Sequence, residues 1–235
     1  GTNLGNAVLG ELVPFVRSII RRDDNLRILS NAAIAIAATG DMELAKSIFD
    51  HILLQPLGST YADVDLMSNV HVLPGSDAIC WLDAVRDASK RTSALSSGYL
   101  DHTYLDALGR IGTNEARRRL MDFVERNDDA FTAGFGWRAL CDIATPELEL
   151  WLIDMLMADC VMRHRNSGGW AIRTLGRIGG VRAQALLDQY ILDADQSVRQ
   201  AAFMSLKDIW RRAGRIWFDD EENASFSTPP SGHGN

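Results

Sequence analysis

The 235-residue sequence predicts an all-α fold, an α-solenoid built from antiparallel helix pairs. Three observations carry that prediction. Segments of the chain repeat at a nearly fixed period. Each segment reads as helix, tight turn, helix. No stretch alternates apolar and polar residues as a half-buried strand would.

The period emerges when the chain is laid on itself. The segments from Tyr104 to Val124, from Trp137 to Leu156 and from Ala171 to Ile191 align without gaps, at offsets of 32 and 35 residues. Leu108, Leu140 and Leu175 then correspond, as do Ile111, Ile143 and Ile178. A fourth copy runs from Ala35 to Ile52, and the interval leaves room for one degenerate unit between 57 and 92. A half-copy from Gln196 to Leu206 closes the array, with Leu206 and Ile209 in the matching slots.

Within a unit, the first helix places apolar residues three and four apart, as at Leu105, Leu108 and Ile111. It ends at a glycine (Gly40, Gly112, Gly179), the residue that adopts the left-handed terminating conformation at least cost. The second helix opens on a cap: Asp41, Thr113, or Thr145 followed by Pro146 at the first helical position. Its core stripe is Ala116, Leu120, Phe123 and Val124 in one copy, and Leu148, Leu152, Met155 and Leu156 in the next.

The ends differ from the middle. Residues 1–24 hold a helix over 4–22, bent at Pro14, that serves as a cap or as the end of a preceding repeat. The array occupies 25–217. From 218 to 235 the chain is an acidic, polar tail without apolar period, expected to be disordered. The stretch from Gln55 to Gly75 is the least regular internal part, read as a decayed repeat or as a functional insertion.

The strings Ala107-Leu-Gly-Arg-Ile-Gly and Thr174-Leu-Gly-Arg-Ile-Gly, with Asp195-Gln-Ser-Val-Arg-Gln-Ala-Ala, resemble the HEAT-repeat family, in particular the short bacterial form related to phycobilisome-lyase HEAT-like repeats. The resemblance covers residues 25 to 215. It implies a right-handed superhelix, with Asp195 and Arg199 bridging neighbouring repeats. It implies little about activity, because such solenoids carry many unrelated functions.

Composition narrows the remaining classes. Hydrophobic residues make up 46% and charged residues 23%, as in a globular chain. The net charge is −7, of which four units sit in the run Asp219-Asp-Glu-Glu222. A basic excess is missing, which argues against a non-specific nucleic-acid binder. Cys80, Cys141 and Cys160 form no CxxC pair, so no zinc ribbon or disulfide framework is readable. Two of them fall inside helical patterns beside leucines, where a reduced cysteine acts as a small apolar residue. No signal-peptide pattern and no long apolar window is present, so the expectation is a soluble, cytoplasmic protein without a membrane span.

No catalytic, metal or cofactor site is expected. The histidines 51, 71, 102, 164 and 233 are never paired at ligand spacing, and the His-Glu pairs that hold a di-iron centre in some HEAT-like solenoids do not occur. HEAT-like alkylpurine DNA glycosylases use Trp, Asp and Arg on a basic concave face. Here Trp137 and Trp170 fall at packing positions and only Trp151 stays open. The glycines of Gly176-Arg-Ile-Gly-Gly follow no strand and mark a helix end rather than a phosphate loop. Arg163-His164-Arg165 reads as a solvated inter-unit loop. Arg117-Arg118-Arg119 reads as paired within its own helix, with Glu115, Asp122 and Glu125.

The candidate site is therefore a surface. A 100° advance per residue puts Arg118 and Asp122 opposite the core stripe of one second helix. The equivalent positions are Asp50 earlier, then Leu150, Asp154 and Met157, then Gln189, with Lys46 and Leu192 beside them. In HEAT-like stacks this face lines the concave surface, so Asp50, Asp122 and Asp154 are expected in register beside exposed apolar residues. The expected function is a non-catalytic protein-binding scaffold or interaction module, with a protein or peptide partner carrying positive charge. The alternatives are a HEAT-like DNA-repair glycosylase and a lyase- or chaperone-type accessory protein.

Overall fold

The computed structural model describes residues 26–53, 62–92, 97–127, 129–158 and 165–215, with the single positions Pro14 and Ser18. Among them the chain forms eleven α-helices and no strand. They are α1 (Leu26–Ala38), α2 (Met42–Leu53), α3 (Ala62–Asn69), α4 (Gly75–Thr92), α5 (Ser97–Ile111), α6 (Asn114–Arg126), α7 (Ala130–Ile143), α8 (Glu149–Met157), α9 (Arg165–Ile178), α10 (Val181–Tyr190) and α11 (Gln196–Arg212). The expected helix over 4–22, the tail from 218 and the Arg163-His164 pair lie outside the described residues. No described helix is long and apolar enough to cross a membrane.

The helices gather into two compact units, residues 1–144 and 145–235. In the first, α1, α3, α5 and α7 pack in succession, and α2, α4 and α6 pack against them as a second layer. In the second, α9 lies along α11, and α8 and α10 pack on that pair. The aligned leucines Leu108, Leu140 and Leu175 are all completely buried. So are Leu105, Leu120, Leu152 and Ile172, while Leu206 is nearly so. Burial of such side chains contributes about 1.5–3 kcal/mol each and is the main reason these short helices hold.

The repeat period is also written in the polar contacts inside each unit. In the first, Lys46 bonds Asp77 at 3.3 Å, Trp81 Nε1 donates to Asp50 at 3.2 Å and Arg138 donates to Asp106 at 3.2 Å, over separations of 31, 31 and 32 residues. In the second, Tyr190 OH donates to the Leu156 carbonyl, Ser205 Oγ to Ile172 and Arg212 to Gly179, over 34, 33 and 33 residues. Side chains on one helix thus satisfy groups one period away.

Several local expectations need correction. Gly40 and Gly112 have positive φ (91° and 66°), whereas Gly179 does not. A Cβ at Gly179 would lie 2.2 Å from Ala183 Cβ, so this glycine serves a close approach. Asp41 and Thr113 cap as expected, accepting from Leu44 N and Ala116 N. Thr145 does not: its hydroxyl is buried without a partner, and Pro146 opens a 3-10 turn over Pro146–Leu148 before α8. Much of the 55–75 stretch is regular, since α3 and a 3-10 turn over Val70–Val72 occupy 62–72. Cys80 is exposed on α4 rather than packed as an apolar residue, and Cys141 is half-buried. Arg199 reaches the carbonyls of Asp193 and Ala194 in the loop before its own helix, and Asp195 caps that helix through Ser197.

Candidate functional site

A cleft of about 540 Å³ in the first unit is lined by Arg86 of α4, Tyr104 of α5, and Arg119, Asp122, Phe123, Arg126 and Asn127 at α6 and its end. The core stripe of α6 explains its placement. Ala116, Leu120 and Val124 are buried, which turns the intervening Arg119, Asp122, Phe123 and Arg126 toward the layer's open side.

Its floor is a fixed polar network. Tyr104 is buried to 5% exposure, and its hydroxyl donates to Asp83 at 2.9 Å. The same oxygen accepts from Arg119 at 3.3 Å, and Arg119 also pairs with Asp83 and with Glu115. Arg86 stacks on the Tyr104 ring at 4.0 Å and holds Asp101 at 2.6 Å, an acid that Lys90 reaches from 3.2 Å. Burial pushes the Tyr104 phenol above its ordinary pKa, with Asp83 adding to the rise and Arg119 opposing it. Burial of Arg119 works against its charge, but the hydrogen bonds it donates to Asp83, Tyr104 and Glu115 outweigh it and hold the guanidinium protonated beyond its usual range.

The sequence expectation for Arg117–Arg119 was pairing within α6, and it holds for Arg118 and Arg119, which pair with Glu115 at 2.8 and 3.1 Å. What the sequence missed is the reach beyond the helix: Arg117, bonded to Asn114 within α6, also donates to the Ile143 carbonyl at 3.1 Å, and Arg119 crosses to Asp83, 36 residues away. Nothing in the spacing of α6 announces Asp83 or Tyr104. The alignment could have, because Tyr104 stands immediately before the repeat leucine Leu105.

All seven surface residues singled out from the sequence are exposed: Asp50, Arg118, Asp122, Leu150, Asp154, Met157 and Gln189. They fall into separate groups. Asp50 accepts from Trp81 on α4, and Asp122 faces Arg126 at 3.7 Å on the cleft rim. In the second unit Leu150, Asp154 and Met157 share one face of α8, with Leu150 and Met157 exposed by 55% and 69%. Gln189 lies on α10, and Leu192 just after it is 84% exposed. Of the tryptophans, Trp137 is buried, while Trp151 and Trp170 are half-buried, the latter under the Arg173 guanidinium at 5.2 Å.

A second cluster lies on α5 and α7. The His102 ring sits 3.9 Å from that of Phe135, which Phe131 meets edge-on at 4.8 Å. Burial lowers the His102 pKa, Arg138 adds to the effect and Asp106 opposes it. Among the described residues no group of three His, Cys, Asp or Glu side chains is placed to hold a metal ion. Comparison with family models, with curated proteins and with solved structures returned no match.

Proposed function

We propose that the chain is a HEAT-like right-handed α-solenoid acting as a non-catalytic protein-binding module, with the exposed faces of its second helices as the contact surface. The observation that carries this reading is the α4–α6 cleft: a hydrogen-bonded floor, an exposed charged rim beside the half-buried Phe123, and one of the surface residues expected from the repeat pattern, Asp122, on its edge. A preorganised floor lowers the ordering cost of association, and a mixed polar–aromatic rim is what peptide-binding surfaces present. The exposed Leu150 and Met157 on α8 extend the same kind of surface to the second unit. The spacing of 31 to 36 residues between contacting side chains supports the repeat reading within each unit.

A photo-crosslinking amino acid placed at positions 122, 154 and 99 in turn tests the proposal. Crosslinked peptide identified by mass spectrometry from positions 122 and 154, with position 99 on α5 silent, is the expected result. Capture from position 99 alone would remove the second-helix surface from consideration.

A further inference from the structure

The residues that line the cleft include three arginines and one aspartate, and the acids that hold Arg86 and Arg119 (Asp101, Asp83 and Glu115) balance the network without themselves lining the cleft. These guanidiniums are also incompletely used. Arg86 engages Asp101 through Nε and Nη2, which leaves Nη1 without an acceptor among the described residues. Arg119 spends Nε on Glu115 and Nη1 on Asp83 and Tyr104, which leaves Nη2. Arg126 is 80% exposed and meets Asp122 only at 3.7 Å, beyond hydrogen-bond distance. A guanidinium presents five N–H donors in a planar fork that suits carboxylate oxygens, so two held arginines and an exposed third, with donors to spare, suit anionic side chains.

Resting on the protein-binding reading above, we propose that this cleft takes an acidic peptide segment, whose Asp and Glu carboxylates engage Arg86, Arg119 and Arg126. This chemistry is the opposite of the basic partner expected from Asp50, Asp122 and Asp154. Of those acids, Asp50 already accepts from the Trp81 indole. The floor residues Asp83, Asp101 and Tyr104 hold Arg86 and Arg119 in place, so a ligand meets donors whose side-chain entropy has already been spent. Arg126 is the most exposed member of the set and the one whose replacement leaves the network intact.

The experiment is fluorescence anisotropy of the full chain with two labelled twelve-residue peptides of equal length, one rich in Asp and Glu and one rich in Lys and Arg. Saturable binding of the acidic peptide is expected, weakened about tenfold by Arg126→Glu and about tenfold between low and high salt, as screened charge pairs require. Arg126→Glu alters one exposed side chain, and its circular dichroism and melting curve are expected to match those of the parent. Absence of saturable acidic-peptide binding, equal binding by Arg126→Glu, or tighter binding of the basic peptide would each overturn the proposal. If the acidic peptide fails while crosslinking from position 122 still captures a peptide, only the chemistry assigned to the cleft falls.

Discussion

The string Leu-Gly-Arg-Ile-Gly occurs twice, at 108–112 in the first unit and at 175–179 in the second, and its two copies meet different fates. Gly112 adopts a left-handed conformation and ends α5 in open surroundings, with no atom closer than 3.8 Å to an added Cβ. Gly179 stays out of that region and is pressed against Ala183. The inner glycines diverge as well. A Cβ at Gly109 would meet Ala139 Cβ at 3.2 Å, a tight but yielding contact, while one at Gly176 would meet Ser205 Cβ at 2.3 Å and Ser205 Cα at 2.5 Å. Identical local sequence thus yields a tight helix contact in one unit and a still closer backbone approach in the other. What decides is the residue about thirty positions downstream.

The next caps differ in the same way. Helix α6 is capped by its own Thr113, whereas α10 follows Gly180, which has no side chain to offer. There Glu149, on the preceding α8, reaches across to accept from Gly180 N at 2.8 Å and Ala183 N at 3.2 Å. A carboxylate at a helix N-terminus satisfies orphan N–H groups and also meets the positive end of the helix dipole. A neighbouring repeat therefore supplies what the local sequence lacks.

This contrast sets the expected mutational effects. The largest belongs to Gly176→Ala: the overpacking cost exceeds the helix-propensity gain of roughly 1 kcal/mol, so chemical denaturation should record a net loss of roughly 2 kcal/mol. Ser205→Gly in the same chain should restore only part of it, because the Ser205 Cα remains in the way. Asparagine at the outer glycine separates the two copies next. Gly179→Asn should cost about 2 kcal/mol by steric overlap, and Gly112→Asn less than about 1 kcal/mol, since asparagine is the second-best residue for a left-handed cap. Thermal melts of the two variants would expose an error in this assignment if their order reversed. Glu149→Ala should remove about 1 kcal/mol by orphaning two N–H groups, and Glu149→Gln, which keeps an acceptor, less than that. Gly109→Ala should fall within about 0.5 kcal/mol of the parent, the yielding contact with Ala139 offsetting the propensity gain.

The first unit also carries the acid-sensitive group. Because the folded state holds the His102 pKa below 6.5, the unfolded chain binds the proton first as the pH falls through that value. Stability contributed by neutral His102 is therefore complete above pH 6.5 and declines below it, until the folded state protonates as well. An NMR titration should place the His102 midpoint under 6.5, and Asp106→Asn should lower it further by removing the opposing acid. A midpoint above 6.5 would contradict the burial argument.

Much of the fold was legible beforehand because helix, turn and cap signals are local. The leucines at one period, the Asp41 and Thr113 caps and the left-handed Gly40 and Gly112 follow from three- and four-residue spacing and from backbone sterics. Thr145 misled because threonine followed by proline is the expected opening of an α-helix, and the chain instead inserts a 3-10 turn. Cys80 misled because its apolar sequence neighbours sit on other faces of α4. For the site, the exposed helix face was readable from the 100° advance, and Asp122 lies on the cleft as a result. The floor was not readable. Asp83, Arg86 and Asp101 converge on Tyr104 and Arg119 only after three helices have packed.

By itself, the amino-acid order indicated an all-helical chain, the ends of α1 and α5, the caps of α2 and α6, and the apolar stripes of the repeated helices. These properties depend on neighbours within one or two turns. Tertiary packing alone decided which glycine permits a turn and which permits contact, which acid caps a distant helix, and how three arginines come to share one cleft. The approach of Gly176 to Ser205 and the reach of Glu149 to Gly180 join residues some thirty positions apart at distances of a few ångströms, which no local pattern encodes.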